Sequence, residues 1–271
     1  MPAPVTVTYL IWPDVQALAQ ASARNFAAKV EAAVARRGVA RVAISGGSTP
    51  QAAFKLLADP AQGFANTIPW DKLQLYWVDE RCVPPEHPES NYGVCKRLLL
   101  DQVAIPAANV HRMEGELDPE EAASRYESVL RNSMKLEGAE SPAFDLLLLG
   151  MGDDGHTASL FPHTEGLHEM GRLCIANHVP QKDAWRVTLT WTVINQAHDV
   201  VFEIAGAAKT DRVAEVFNGP RDPERLPSQL IRPTNGRLLL QLDEAAAAKL
   251  PSCTELFETA EGRRRVGTLE I

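Results

Sequence analysis

His156 stands in the stretch Leu146–Pro162, LLLLGMGDDGHTASLFP. Four leucines run into Gly150-Met151-Gly152, two aspartates follow, and Gly155 precedes the imidazole. That layout lifts one imidazole off the carboxyl end of a buried strand into a turn lined with backbone N–H groups, the place where open α/β sheets bind ligands. An imidazole changes charge near neutral pH, which makes His156 the best general base in the chain. Asp154 is placed either to cap the following turn or to set the imidazole tautomer. The competing reading is a core histidine bonded to backbone.

A second constellation is Ser45-Gly46-Gly47-Ser48-Thr49-Pro50, directly after the apolar run RVAI. Two glycines allow a tight turn and close ligand approach. Thr49 reads as a helix N-cap and Pro50 as the first helical residue. A strand, a glycine-rich turn and a helix start together present unpaired N–H groups and the positive helix end, which suits a phosphate. The segment is neither a Walker A loop nor GxGxxG, and a plain connector is the alternative. In Trp77-Val78-Asp79-Glu80-Arg81, charges end the apolar run LQLYWV. Asp79 suits a sugar hydroxyl or a base, and Arg81 can hold a phosphate with its planar fork. A solvated strand end would look the same. Asn91, in SNYG, reads as the N-cap of the next helix, with a ligand contact open to it. Arg186 opens RVTLTW and Lys209 follows a strand in EIAGAAKT, so both are candidate anion-binding cations. His87 lies beside prolines and His163 and His168 in a loop; no HxxxH or HExxH spacing points to a metal. Neither Ser48 nor Ser159 sits in a GxSxG elbow.

The elements that must hold these groups follow from the apolar pattern. Strands are predicted at 5–10, 41–45, 73–78, 144–149, 187–191, 200–205 and 238–242, several of them wholly apolar as in parallel sheets covered on both faces. Helices are predicted at 14–37, 50–58, 92–102, 119–135 and 208–217, the first opened by Pro13-Asp14 and closed by Gly38. The alternation implies βαβ units and an α/β fold: a Rossmann-like, mainly parallel sheet flanked by helices, in one domain. The polar region 166–186 reads as a small annex, and the charged tail after Pro251 as loosely packed, its role open.

With 271 residues, 45% hydrophobic and 23% charged, the chain has the profile of an ordinary globular protein. A net charge of −8 argues against nucleic-acid and anionic-membrane partners but permits an anionic small ligand if a few cations gather locally. The four cysteines, Cys82, Cys95, Cys174 and Cys253, form no CxxC pair, so a reducing cytoplasm is expected. The start, MPAPVTVTYLIW, shows no signal-peptide pattern. No apolar run approaches the ~20 residues of a membrane span.

SGGSTP, then WVDER and SNYG, then LLLGMGDDGHTASLFP, then WRVTLT and GAAK occur in that order. In that combination the chain resembles the 6-phosphogluconolactonases of the glucosamine-6-phosphate isomerase/lactonase superfamily, from its first helix to about Leu250. The resemblance implies a NagB/RpiA-like fold and hydrolysis of 6-phospho-D-glucono-1,5-lactone in the oxidative pentose phosphate pathway. It implies no cofactor, and a monomer or small homo-oligomer acting on a free sugar-phosphate lactone. His156 would activate water and Asp79 would be a site carboxylate. Gly46, Gly47, Ser48, Thr49, Arg81, Asn91, Arg186 and Lys209 would bind phosphate and hydroxyls. The rival within the superfamily is a glucosamine-6-phosphate deaminase. That branch carries an acid five residues after the histidine, where this chain has Phe161, and tends to have Tyr where this chain has Arg81. A sugar-phosphate sensor domain is a third reading. It would carry a helix-turn-helix ahead of the sheet, whereas the first strand here begins by about Val5 and the charge is wrong for DNA.

Overall fold

Runs such as Val42-Ala43-Ile44 and Leu146–Leu149 carry no polar side chain and are fully buried, so both their faces must be covered. In the computed structural model, which describes residues 5–251, 255–259 and 262–271, they are central strands of a nine-stranded sheet. The strands are β1 (Thr6–Trp12), β2 (Ala40–Ile44), β3 (Leu73–Trp77), β4 (Asp79–Arg81), β5 (Val110–His111), β6 (Leu146–Leu149), β7 (Cys174–Val179), β8 (Ala184–Leu189), β9 (Asp199–Ile204), β10 (Arg237–Asp243), β11 (Glu255–Thr259) and β12 (Gly262–Glu270). The helices are α1 (Val15–Arg37), α2 (Ser48–Ala58), α3 (Phe64–Thr67), α4 (Asn91–Leu98), α5 (Pro119–Met134), α6 (Trp191–Ile194) and α7 (Thr210–Asn218).

The sheet order is β11-β12-β1-β10-β9-β6-β2-β3-β5. Every neighbouring pair from β1 to β5 is parallel, and β12 is antiparallel to β1 and to β11. One face is covered by α1 and α2, whose Phe26, Val30, Phe54 and Leu57 pack on Val42, Ile44, Leu75 and Leu148. The other face is covered by α5 and α7, through Tyr126, Leu130, Val213 and Phe217 on Tyr76, Leu147 and Phe202. Each such side chain contributes about 1.5–3 kcal/mol on leaving water. Among the described residues, no helix is long and apolar enough to cross a membrane.

The elements differ from the sequence reading where local chemistry competes. Asp14 is the cap of α1, its carboxylate accepting from the N–H groups of Gln16 and Ala17 at 2.9 and 2.8 Å. Thr49 is not an N-cap: α2 begins at Ser48 with Gly47 as its cap residue, so Thr49 and Pro50 lie inside the first turn. Nor does Asn91 cap α4, because Ser90 holds the Gly93 N–H at 2.9 Å and frees the asparagine for another bond. The helix expected to reach residue 102 stops at Leu98 and tightens into a 3₁₀ turn over Leu100–Gln102. The strand expected over 187–191 lies at Ala184–Leu189, and Trp191 opens α6.

The region 166–186 supplies β7 and the start of β8, which form a separate antiparallel sheet in the order β4-β8-β7. The tail is not loose. β12 pairs with β1 from Thr6↔Glu270 to Ile11↔Arg265, and Leu269 is buried in the core. Cys253 lies outside the described residues.

Candidate active site

The carboxyl ends of β2, β3, β6 and β9 converge, and four segments leaving them make the site. Leaving β6, the chain folds back on itself. Gly152 N–H donates to the His156 carbonyl at 2.9 Å, Gly155 N–H to the Gly152 carbonyl at 3.0 Å, and Thr157 Oγ1 to the Gly150 carbonyl at 2.8 Å. Position 152 admits only glycine, since a Cβ there would lie 2.0 Å from His156 Nδ1 and 2.7 Å from Asp154 Oδ1.

Asp154 Oδ1 lies 2.6 Å from His156 Nδ1 and accepts the His156 backbone N–H at 3.1 Å. It performs both roles open to it in the sequence: capping the turn and orienting the ring. Burial pushes the Asp154 carboxyl up, but the bonds and charge of His156 outweigh it and bring its pKa down to about 2. A carboxylate at Nδ1 leaves Nε2 as the ring nitrogen free to take a proton. Phe161 covers one face of the imidazole, the two rings stacked with centroids 3.9 Å apart.

Leaving β3, Asp79 is buried and held from two sides. Ser159 Oγ donates to its Oδ2 at 2.7 Å, and Asn91 Nδ2 reaches its Oδ1 at 3.3 Å and its carbonyl at 3.0 Å. Beside it, the buried Glu80 carboxyl accepts the N–H groups of Asn91 and Tyr92 at 2.7 and 2.8 Å and the Ser90 hydroxyl at 3.1 Å. Burial raises the Glu80 pKa, and these backbone donors oppose the rise. Glu80 thus fixes the start of α4, and with it the Asn91 side chain.

Leaving β2, Gly46 comes so close to Asn91 that a Cβ would sit 1.8 Å from its Oδ1. No side chain caps α2, so the first-turn N–H groups of Ser48 and Thr49 have no partner inside the helix. Leaving β9, Lys209 follows the Gly206 turn and pairs with Asp153, while Arg212 Nε donates to the Asp153 carbonyl at 2.8 Å.

One cavity of about 220 Å³ unites these segments. Gly46, Gly47, Ser48, Thr49, Asp79, Arg81, Asn91, His156 and Lys209 all line it. Arg186 does not. It stands opposite Arg81 in the β4–β8 pairing, its Nη1 donating to the Trp185 carbonyl at 3.0 Å. Burial lowers the Arg186 pKa, and repulsion from Arg81 lowers it further.

The sequence profile of the family described as "Glucosamine-6-phosphate isomerases/6-phosphogluconolactonase" matches residues 13–240. The chain belongs to that family. A 6-phosphogluconolactonase of Synechocystis sp. is 43% identical over 224 residues, 82% of this chain and 89% of the relative. One of Nostoc sp. is 41% identical over 245 residues, 90% and 98% of the two chains. The solved structure of the 6-phosphogluconolactonase from Trypanosoma brucei superposes with a TM-score of 0.77 at 26% identity, covering 92% of this chain and 99% of that one.

In this member of the isomerase/lactonase family, three participants escaped the sequence reading. Ser159, outside any GxSxG elbow, instead steadies Asp79, and Glu80 anchors the start of α4. Glu203 also lines the cavity, with its carboxyl buried and its pKa pushed up to about 7 by that burial. Its one sequence signal is an acid inside the otherwise apolar run VVFEI.

Proposed function

We propose that the chain hydrolyses 6-phospho-D-glucono-1,5-lactone to 6-phospho-D-gluconate, with His156 as the base. The observation that carries this reading is the His156–Asp154 pair facing the Gly46–Thr49 turn and Lys209 across one cavity. A lactone carbonyl is already electrophilic, so the protein must position water, remove its proton and steady the oxyanion. Nε2 of neutral His156 takes the proton as the water oxygen bonds to C1, a step that typically gains about 10²–10⁴-fold. Backbone N–H groups or a cation of the cleft hold the tetrahedral oxygen, worth roughly 3–4 kcal/mol per good donor. As the bond from C1 to the ring oxygen breaks, the imidazolium returns its proton to that oxygen. The products are a hydroxyl and a carboxylic acid, which ionises.

The first turn of α2 supplies free N–H groups and the positive helix end for the phosphate, with Lys209 and Arg81 as charge partners. Asp79, fixed by Ser159 and Asn91, accepts from a sugar hydroxyl. Arg186 acts on the ligand only through the field it shares with Arg81. The same reading makes the chain one catalytic domain of the cytoplasm. It acts without cofactor, nucleic acid or membrane, as a monomer or small homo-oligomer.

Acid release from freshly prepared lactone, corrected for spontaneous opening, tests the activity: protein-dependent release is expected. Glucosamine 6-phosphate should yield no ammonia, because an aromatic ring packs on His156 at the position where the deaminases' acid would stand. Ammonia production in place of lactone opening would reverse the assignment.

A further inference from the structure

Glu203 interrupts the apolar run of β9. The pairing Leu149↔Phe202 between β6 and β9 brings it level with Gly150, at the strand ends where the cleft opens. There it forms part of the cleft wall, together with Ile204 and Ala205. The residue is 2% exposed, and neither carboxyl oxygen has a hydrogen-bond partner among the described residues. Among the described residues its surroundings are equally short of partners: Gln241, beside it on β10, has no partner for its Oε1, Ser22 on α1 none for its Oγ, and Trp12 on β1, in the layer packed against Ala205, none for its Nε1.

None of these neighbours titrates. The titratable groups of the cleft are Asp79, Arg81, His156 and Lys209. A carboxylate enclosed without donors is the costliest state this group can take, whereas the neutral acid is tolerated and can donate as well as accept. Burial accordingly raises its pKa, opposed only by the nearby Ser22 hydroxyl, which stands outside hydrogen-bond geometry.

We propose that Glu203 is a proton-holding positioning residue in the cleft wall: as the neutral acid it keeps the end of β9 in place for an anionic sugar phosphate, and its ionisation weakens that ligand. Ionisation places a negative charge behind the wall that faces the phosphate and forces water into the α1–sheet layer. The ligand named here rests on the lactonase reading; the proton site itself does not.

The test compares wild type with Glu203→Gln, which keeps the shape and removes the titration. Binding of 6-phosphogluconate is measured calorimetrically between about pH 6 and about pH 8, either side of the Glu203 pKa of about 7. Over that range the wild-type Kd should weaken about tenfold more than that of the variant, as one linked proton requires. Equal pH dependence in the two proteins overturns the proposal.

Thermal unfolding supplies an arm that needs no ligand. The folded pKa of about 7 lies above the ordinary carboxyl value of 4.5, so wild type should lose stability relative to Glu203→Gln as pH rises from about 4.5 to about 7, with a constant gap above. A gap that does not change with pH overturns the proton site. A widening gap in a protein that binds no 6-phosphogluconate at any pH supports the proton site and sinks the lactonase reading instead. Should the variant not fold, proton uptake by wild type on binding 6-phosphogluconate at about pH 8 decides. Uptake near one proton supports the proposal, and none overturns it.

Discussion

At the scale of single residues, the site is a histidine with one nitrogen occupied and one free. His156→Ala should lower turnover by about 10²–10⁴-fold while affinity for 6-phosphogluconate survives, because the ring is assigned to proton transfer. Steady-state kinetics beside calorimetry separates the two effects, and near-wild-type turnover would remove the base. Asp154→Asn tests the orienting carboxylate. An amide can present its NH₂ to Nδ1 and so stabilise the tautomer with the proton on Nε2, the wrong one for a base. We expect kcat to fall at least about tenfold with KM little changed. The cations separate by position. Lys209→Ala removes a charge that lines the cleft and should raise KM by about 10–100-fold, the worth of one charge-assisted hydrogen bond. Arg186→Ala, outside the lining, should raise it far less. Equal effects of the two would mean that the phosphate lies toward the β4–β8 sheet.

At the scale of elements, the cleft depends on how closely two turns approach. Gly46 and Asn91 meet with no room for a Cβ, and Asn91 is held at its other side by Asp79 and by Glu80 at the start of α4. Gly46→Ala must therefore displace either the first turn of α2 or the Asn91–Asp79 bond. The expected outcome is a loss of phosphate-ligand affinity larger than the loss of thermal stability, read by calorimetry and thermal unfolding. Adding Asn91→Ala should recover part of that affinity by clearing the contact. Both segments were visible in the sequence, since glycines after a strand and charges ending one are local signals. Their mutual contact was not visible, because it joins positions 46 and 91 through the fold.

At the scale of the whole molecule, the sheet is closed on one side by the tail. β12 pairs along β1, which would otherwise be an open edge. Ending the chain after Pro251 should lower the unfolding temperature and promote self-association, because an uncovered strand offers free N–H and C=O groups to another chain. Size-exclusion chromatography and thermal unfolding of the shortened chain would check this; an elution profile and midpoint unchanged from the full chain would mean that β1 needs no cover.

The tail escaped the sequence reading because RRRVGTLE lacks the continuous apolar run of a strand buried on both faces. Its pairing is decided by the partner that β1 presents. The parallel strands were legible for the opposite reason: a strand covered on both faces must be apolar throughout, and VAI and LLLL announce that without knowledge of any neighbour. By itself, the order of residues determined the βαβ plan, the glycine-rich turn and the imidazole at a strand end, all features of adjacent residues. Only the tertiary structure decided that Ser159 steadies Asp79, that Arg186 stands opposite Arg81 on the β4–β8 pair, and that Glu203 lies buried in the cleft wall. Those outcomes depend on strand order and burial, which bring distant residues together and exclude water, and neither quantity is carried by a local stretch of chain.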